Sequence, residues 1–367
     1  MDALVCGTLA GDCLPANLAA ADLTALWNRA RIEDVDVIVA DVLCRATVAP
    51  EVRQLWAARL AEAELRGLLR FREVCRLAAA FDAERVDVLL LKGAGLAYTV
   101  YRAPHHRPTR DIDLFIRRRT RGAAERALAS CGYRRMREPD GELAHGQSHY
   151  VRADGNRLNH FVDLHWRVSN SHLFAGALPF EPAWAASIPV RDIQPGLRTL
   201  SLPHALLLAC IHRVAHHRDA PHLLWLWDIH LLAGAMAPGE RTTFLEDAAR
   251  TEMRAVAARG LDLAERRFGT PGLKELVQRL EGGEAEPSAQ FLGGHLRPFE
   301  MLRTDLAATS GLTARARLLR EHLAPSVSYM RAVYPRCPPA FLPVAYVHRV
   351  VRGMPKWLRR PLPPASD

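Results

Sequence analysis

Two aspartates one residue apart, Asp111 and Asp113, stand in the run Asp111-Ile112-Asp113-Leu114-Phe115-Ile116. Side chains at i and i+2 of a strand share a face, so both carboxylates point one way while Ile112, Leu114 and Ile116 point into a core. Two like charges held this close repel until a divalent cation shares them, and hard oxygen ligands suit Mg2+ or Mn2+. With 40 Asp and Glu in 367 residues, about four acid-x-acid pairs arise by chance, so the neighbours decide. Upstream, Lys92-Gly93-Ala94-Gly95 follows the apolar run Val86 to Leu91. Glycines let backbone amides approach a phosphate, a following helix N-terminus favours anions, and Lys92 can meet a phosphate directly. The same residues also read as a plain strand-to-helix turn. Downstream, Phe161-Val162-Asp163-Leu164-His165-Trp166 alternates and puts Asp163 and His165 on one face. A third acid there would complete a metal site and polarise an acceptor hydroxyl; the bland alternative is an exposed strand acid.

These residues need a sheet to bring them together. Val86 to Leu91 predicts a buried strand, Leu96 to Tyr101 a helix, Ala103 to Thr109 a Pro- and His-rich loop, and Asp111 to Arg117 a second strand. Thr120 to Ser130 predicts a helix ended by Gly132. Strands follow around Ser148 to Arg152 and Leu158 to Val168, joined by the turn Ala153-Asp154-Gly155-Asn156. Residues 15 to 82 read as helical, with Pro15-Ala16-Asn17 leading in and Leu55, Leu60, Leu65, Leu68 and Leu69 at helical spacing. From Leu200 the helical period returns near 203–217, 221–236, 240–252, 254–267, 271–281, 288–308 and 312–323. The end, with Pro325, Pro335, Pro338, Pro339 and Pro343, is expected to be irregular and its last ten residues disordered. His105 and His106 are expected in a solvated loop, and Trp225 and Trp227 in the core.

Composition narrows the class. The balance is 49 Lys and Arg against 40 Asp and Glu, nearly all of the cations arginine. Arginine forks bind phosphate well, although an Ala- and Arg-rich chain also follows from a GC-rich coding sequence. Seven cysteines without a C-x-x-C pair argue against a disulfide framework or a cysteine zinc site and fit a reducing cytoplasm. The start lacks a basic signal-peptide region, and no apolar run reaches the ~18 residues of a spanning helix. Leu223 to Met236 comes nearest and is broken by Asp228 and His230. The expectation is a cytoplasmic protein with no membrane span.

At these residues the chain resembles the nucleotidyltransferase superfamily of the polymerase-β type. There a strand ends in Gly plus a small residue, a helix follows, the next strand carries D-h-D, and a third acid lies on a later strand. More narrowly, it is similar to the uncharacterised nucleotidyltransferase family found in bacterial gene clusters, peptide and polysaccharide biosynthesis clusters included. The pattern runs through LLLKGAGLAYTVY, RPTRDIDLFI, VDLHW, the helical pair His212 and His216, and Trp225 with Asp228-Ile229, over residues 50 to 300.

The resemblance implies an α+β chain. Residues 1–84 would be an N-terminal helical region, 85–200 a small mixed-sheet core, 201–325 a C-terminal helical domain and 326–367 a Pro-rich basic tail. It also implies transfer of a nucleoside monophosphate from a nucleoside triphosphate such as ATP, with pyrophosphate release. The acceptor would be a hydroxyl or phosphate on a small molecule, sugar or modified peptide. Asp111, Asp113 and Asp163 would hold the metal, and Asp163 would support a second metal or deprotonate the acceptor. Lys92, Gly93, Ala94, Arg107 and Arg110 would surround the phosphates, unless Arg110 simply pairs with Asp111. Ala94 stands where Ser or Gly is usual, which removes a hydroxyl contact. His165, His212, His216 and Asp228 are candidates for an acceptor pocket, or His212 and His216 bond to Asp228 as a structural network. Three alternatives stay open. One is a tRNA- or protein-directed transferase of toxin type, and another is a non-catalytic nucleotide-binding protein on this fold. The last is a zinc hydrolase using His212, His216 and either Asp228 or His230.

Overall fold

Strand-forming residues between 88 and 199 build one seven-stranded sheet in the computed structural model, which describes every residue except 1, 11–19, 46–49, 138–140, 156–158, 191–192, 194–195 and 359–367. The strands are β1 (Val88–Leu90), β2 (Ile112–Ile116), β3 (Arg134–Arg135), β4 (Gln147–Ala153), β5 (Asn159–His165), β6 (Ile188–Pro189) and β7 (Arg198–Thr199). Their spatial order is β3-β4-β5-β2-β1-β7-β6. β2 runs parallel to β5 and β1 parallel to β7, while the other pairs are antiparallel. The sheet is therefore mixed, and the chain is of the α+β class.

Helices precede, interrupt and follow it. They are α1 (Asp2–Ala10), α2 (Ala20–Ile32), α3 (Asp36–Arg45), α4 (Pro50–Ala83), α5 (Lys92–Ala97), α6 (Arg121–Ser130), α7 (His172–Ala175), α8 (Phe180–Ala185) and α9 (Leu202–His217). There follow α10 (Leu223–Ala235), α11 (Pro238–Arg250), α12 (Arg254–Phe268), α13 (Leu273–Arg279), α14 (Pro298–Ala308), α15 (Leu312–Leu323), α16 (Val327–Val333) and α17 (Leu342–Leu358).

Alternation along the strands sorts the two faces. Val88, Leu90, Ile112, Leu114, Ile116, Val162 and Leu164 pack against Val74, Leu77 and Phe81 of α4 and against Ala124 and Leu128 of α6. On the opposite face Leu89, Leu91 and Phe115 meet Phe180, Leu200 and Leu208, and that face also carries the acids. A third core joins distant parts of the chain: Val5, Leu26, Val39 and Trp56 are continuous with Leu206, Ile211, Ile229, Val256, Leu261 and Leu276. The 34-residue α4 spans two of these cores, with Trp56 at one end and Phe81 at the other.

α5 lies close on the sheet because Gly95 has no side chain. A Cβ added there would sit 2.5 Å from Thr199 Oγ1 and 2.9 Å from the Leu90 carbonyl oxygen. Gly95→Ala is expected to cost about 1–3 kcal/mol in urea or thermal denaturation, because a backbone atom cannot yield. Gly234→Ala on α10, where nothing lies within 4 Å, is expected to be neutral or to stabilise by up to about 1 kcal/mol. Equal effects of the two substitutions would refute the packing account.

Three expectations need correction. The helix over 288–308 is broken into a 3-10 turn, Pro287–Gly294, and α14. Gly293 and Gly294 take left-handed φ of 75° and 66°, which a helix cannot continue through. The tail is not irregular, since α16, a 3-10 turn at Pro339–Phe341 and α17 occupy it. Its prolines mostly fall between helices or in first turns, where no N–H is needed. Pro355 stands in the interior of α17, beyond its first turn. His106 is not solvated: it is 5% exposed, with Nε2 3.4 Å from Asp41. Residues Pro15 to Asn17, Asn156, and the chain end from 359 lie outside the described residues.

Burial pushes the His106 imidazole down to about 4, against the pull of Asp41. Its unfolded form takes up a proton near pH 6.5 while the folded form resists, so stability rises with pH across this window. The contribution is whole above the unfolded value and fades as pH falls toward 4. The expected loss is about 3 kcal/mol over that window, and His106→Leu should flatten this part of the stability profile. Unchanged acid sensitivity in the variant would exclude His106 as its source.

Among the described residues no helix is long and apolar enough to cross a membrane. The described cysteines are free thiols.

Candidate functional site

Parallel pairing of β2 with β5 sets Asp113 directly opposite Asp163, and antiparallel pairing of β4 with β5 sets His149 opposite Asp163 on its other side. One row across three strands thus reads His149, Asp163, Asp113. His165, two residues beyond Asp163, faces the same way, as strand alternation requires. A carboxylate oxygen from Asp113, one from Asp163 and a ring nitrogen of His165 lie within 4.8 Å of one another.

Asp113 is 4% exposed and is bound through one oxygen. Lys92 Nζ donates to its Oδ1 at 2.6 Å, and His165 Nε2 lies 2.8 Å from the same oxygen. Burial alone would raise this carboxyl, but the Lys92 charge and the His165 bond hold it well below the usual range. Its neighbours are only partly compensated: His149 Nε2 lies 3.6 Å from Asp163 Oδ2, and the Lys92 and Arg70 charges act on Asp111 without outweighing burial. Burial, followed by the charge on Asp113, pushes Asp163 up to about 7. The same two causes, in the same order, raise Asp111. Gln147 Nε2 reaches Asp163 Oδ2 only at 3.4 Å. The face is short of positive charge, and its donor set of carboxylates with one imidazole nitrogen fits a divalent cation.

Asp111 stands just before β2, half-buried and without an ion-pair partner among the described residues. It belongs to the same electrostatic cluster but not to the tight group of Asp113, Asp163 and His165.

The turn after β1 delivers Lys92. Its φ of 48° is left-handed, a conformation that costs a non-glycine residue about 1 kcal/mol. The Leu91 N–H donates to the Asp113 carbonyl at 2.9 Å, fixing the turn to β2. Gly93 is needed for packing, because an added Cβ would lie 2.5 Å from Thr109 Cγ2. Ala94 turns its methyl into the α4-side core.

Arg110 is exposed and pairs with no acid among the described residues, Asp111 included. Arg107 is buried instead, and grips Asp228 of α10 with Nε to Oδ1 at 2.8 Å and Nη2 to Oδ2 at 2.7 Å. Tyr101 Oη adds a bond to Asp228 Oδ1 at 2.6 Å. Arg107 thus braces the wall of a pocket rather than presenting an open phosphate fork.

Asp228 therefore does not serve His212 and His216. His212 Nε2 lies 3.1 Å from His217 Nε2, and the His217 ring stacks on Trp225 at 3.9 Å between centroids. His212 and His216 face each other at 5.0 Å. Burial first, and the Lys92 charge second, hold His212 well below its ordinary value and His217 down to about 4, so this wall stays neutral. The zinc alternative is not supported: among the described residues no group of three candidate ligands includes His212 or His216. Asp228 is taken by Arg107, and His230 bonds Thr270 through Nδ1. Trp225, expected in the core, lines a pocket together with Lys92, Gly93, Leu96, Leu208 and His212. Trp227 is core as expected, 7% exposed.

Sequence reading missed Arg70, His149 and Gln147. The last two alternate with buried Ser148 and Tyr150 along β4, a polar-face signal that was available. Arg70 of α4 donates to the Thr109 carbonyl and contributes charge near Asp111, but nothing local marks it.

Acids carried on adjacent strands of a small mixed sheet, beside a lysine–glycine turn and backed by helices, define a nucleotidyltransferase-type domain. The uncharacterised nucleotidyltransferase family matches residues 19–269, and the chain belongs to that family. No curated protein matches the chain. Membership implies nucleotidyl transfer from a nucleoside triphosphate, a reaction that generally uses divalent metal.

Proposed function

We propose that this protein moves a nucleoside monophosphate from a nucleoside triphosphate onto an acceptor hydroxyl or phosphate, with Mg2+ or Mn2+ and release of pyrophosphate. The observation that carries the reading is the register pairing of Asp113 with Asp163, with His165 at their side and Lys92 on Asp113. Asp113, Asp163 and Asp111 hold the cation. Bound there, it supplies positive charge for the triphosphate and for the oxygens that gain charge during transfer.

The chain's own groups do the rest. Lys92 and Arg110 meet phosphate oxygens. Asp163 takes the proton of the acceptor hydroxyl as its oxygen bonds to the α-phosphorus and the bond to the pyrophosphate oxygen breaks. His165 steadies Asp113 from the same face, with Nε2 2.8 Å from Oδ1. The pocket that His212, Trp225 and Leu208 wall is small, about 50 Å3, and partly apolar, with Lys92 and the Arg107–Asp228 pair also in its lining, which supports a small acceptor such as a sugar or modified peptide group.

The test is incubation with α-labelled ATP, CTP, GTP and UTP, Mg2+ and a panel of sugars, peptides and tRNA, following label transfer and pyrophosphate. Transfer that chelator abolishes, and that Asp111→Ala and Asp163→Ala lose, is expected. Undiminished pyrophosphate release in both variants would end the proposal.

A further inference from the structure

Residues 298–358 form a helical appendage beyond the family match, and they hold eleven of the sixteen large apolar side chains exposed among the described residues. They are also where the charge lies. Residues 298–367 carry eleven Lys and Arg against four Asp and Glu, seven of the chain's nine net positive charges. From 322 to 366 there are seven Lys and Arg and no acid.

α17 organises both properties. One side is docked: Tyr346 Oη donates to the Pro325 carbonyl at 2.6 Å, Arg349 Nη1 to the His322 carbonyl at 3.1 Å, and Ala345 is 5% exposed. The opposite side shows Val344, Val347, Val351 and Met354, exposed by 61%, 63%, 59% and 52%. Their spacing of i, i+3, i+7 and i+10 makes one stripe along the helix. Exposed His348 and Arg352 run along its edge. On the other edge Phe299, Leu323, Val350, Met354 and Trp357 line a groove of about 350 Å3.

An aliphatic stripe beside Arg352, in a segment that holds seven Lys and Arg and no acid from 322 to 366, on a helix already folded and held, matches a surface that is apolar beneath and anionic on top. Nucleic acid would use the cations and leave the valines in water. A second copy meeting stripe to stripe would bring like charges together. We propose that α17 and the cationic segment around it dock this protein on an anionic lipid bilayer, with the helix lying in the plane of the interface. This does not rest on the nucleotidyl-transfer reading.

The full chain is tested by co-sedimentation with vesicles of phosphatidylcholine alone and of phosphatidylcholine mixed with phosphatidylglycerol. Partition onto the mixed vesicles is expected to exceed that onto neutral ones by about tenfold and to weaken as salt rises. Val347→Asp with Val351→Asp should lower it by about tenfold or more, and Arg352→Glu by a similar factor. Both valines are exposed, so melting temperature and nucleotidyl transfer should not change. Should the aspartates disturb folding, Val347→Ser with Val351→Ser gives the same comparison. Failure to bind anionic vesicles, or binding that the valine variants leave intact, overturns the proposal. So does a lipid-free dimer in light scattering that the valine variants abolish, or retention on RNA in place of vesicles.

Discussion

Asp113→Asn is expected to reduce nucleotidyl transfer by about a thousandfold or more while leaving the sheet in place. The amide keeps the shape of the carboxylate but removes the charge that two neighbours answer to: Lys92 Nζ at 2.6 Å and His165 Nε2 at 2.8 Å. With that charge gone, Asp111 and Asp163 alone must attract a cation, and Lys92 becomes a nearly buried ammonium without its partner. A stability loss of about 1–3 kcal/mol should accompany the loss of rate. The two effects separate by measurement. Mn2+ binding followed by paramagnetic resonance reports the site, and thermal melting reports the fold. A variant that turns over like the wild type would remove Asp113 from the chemistry.

The second large effect lies away from the acids. Arg107→Ala or Asp228→Ala is each expected to cost about 3–5 kcal/mol in urea denaturation, because each strands a buried charge opposite a vacated partner. Tyr101→Phe, which removes one bond to the same carboxylate, should cost about 1–2 kcal/mol. Arg107→Met combined with Asp228→Leu should cost much less than the two single losses added together, since no charge is left unpaired. The pair clamps the loop that leads into Asp111 onto α10, so the single variants should also lose activity as that loop drifts. Single variants within about 0.5 kcal/mol of wild type would show that the pair is not a clamp.

The alternation in Asp111 to Ile116 and in Phe161 to Trp166 made the two strands and their polar faces legible, because period two is a strong local signal. Their pairing in register was beyond the sequence, since it depends on how the crossover between them lies. Arg107 shows the limit from the other side. An arginine beside a phosphate-type loop and an aspartate 121 positions later give no local sign of being partners. The tail failed for a different reason. Prolines were read as breakers, but most of them stand where helices begin or between them, while the apolar spacing from Leu342 to Trp357 is helical. His106 was misjudged because loop residues are usually wet, and here α3 closes over the turn through Asp41.

The core that joins Val5 and Leu26 to Val256 and Leu261 has a consequence during synthesis. At ribosomal speed, the first helix leaves the exit tunnel roughly ten seconds to a minute before its partner is made. Over that interval α2 and α3 cover part of its apolar face, and the part that α12 covers stays open. Nascent chains should therefore engage holdase chaperones until α12 emerges. Synthesis stalled before α12 should yield protease-sensitive chains, and synthesis stalled well after it should yield resistant ones.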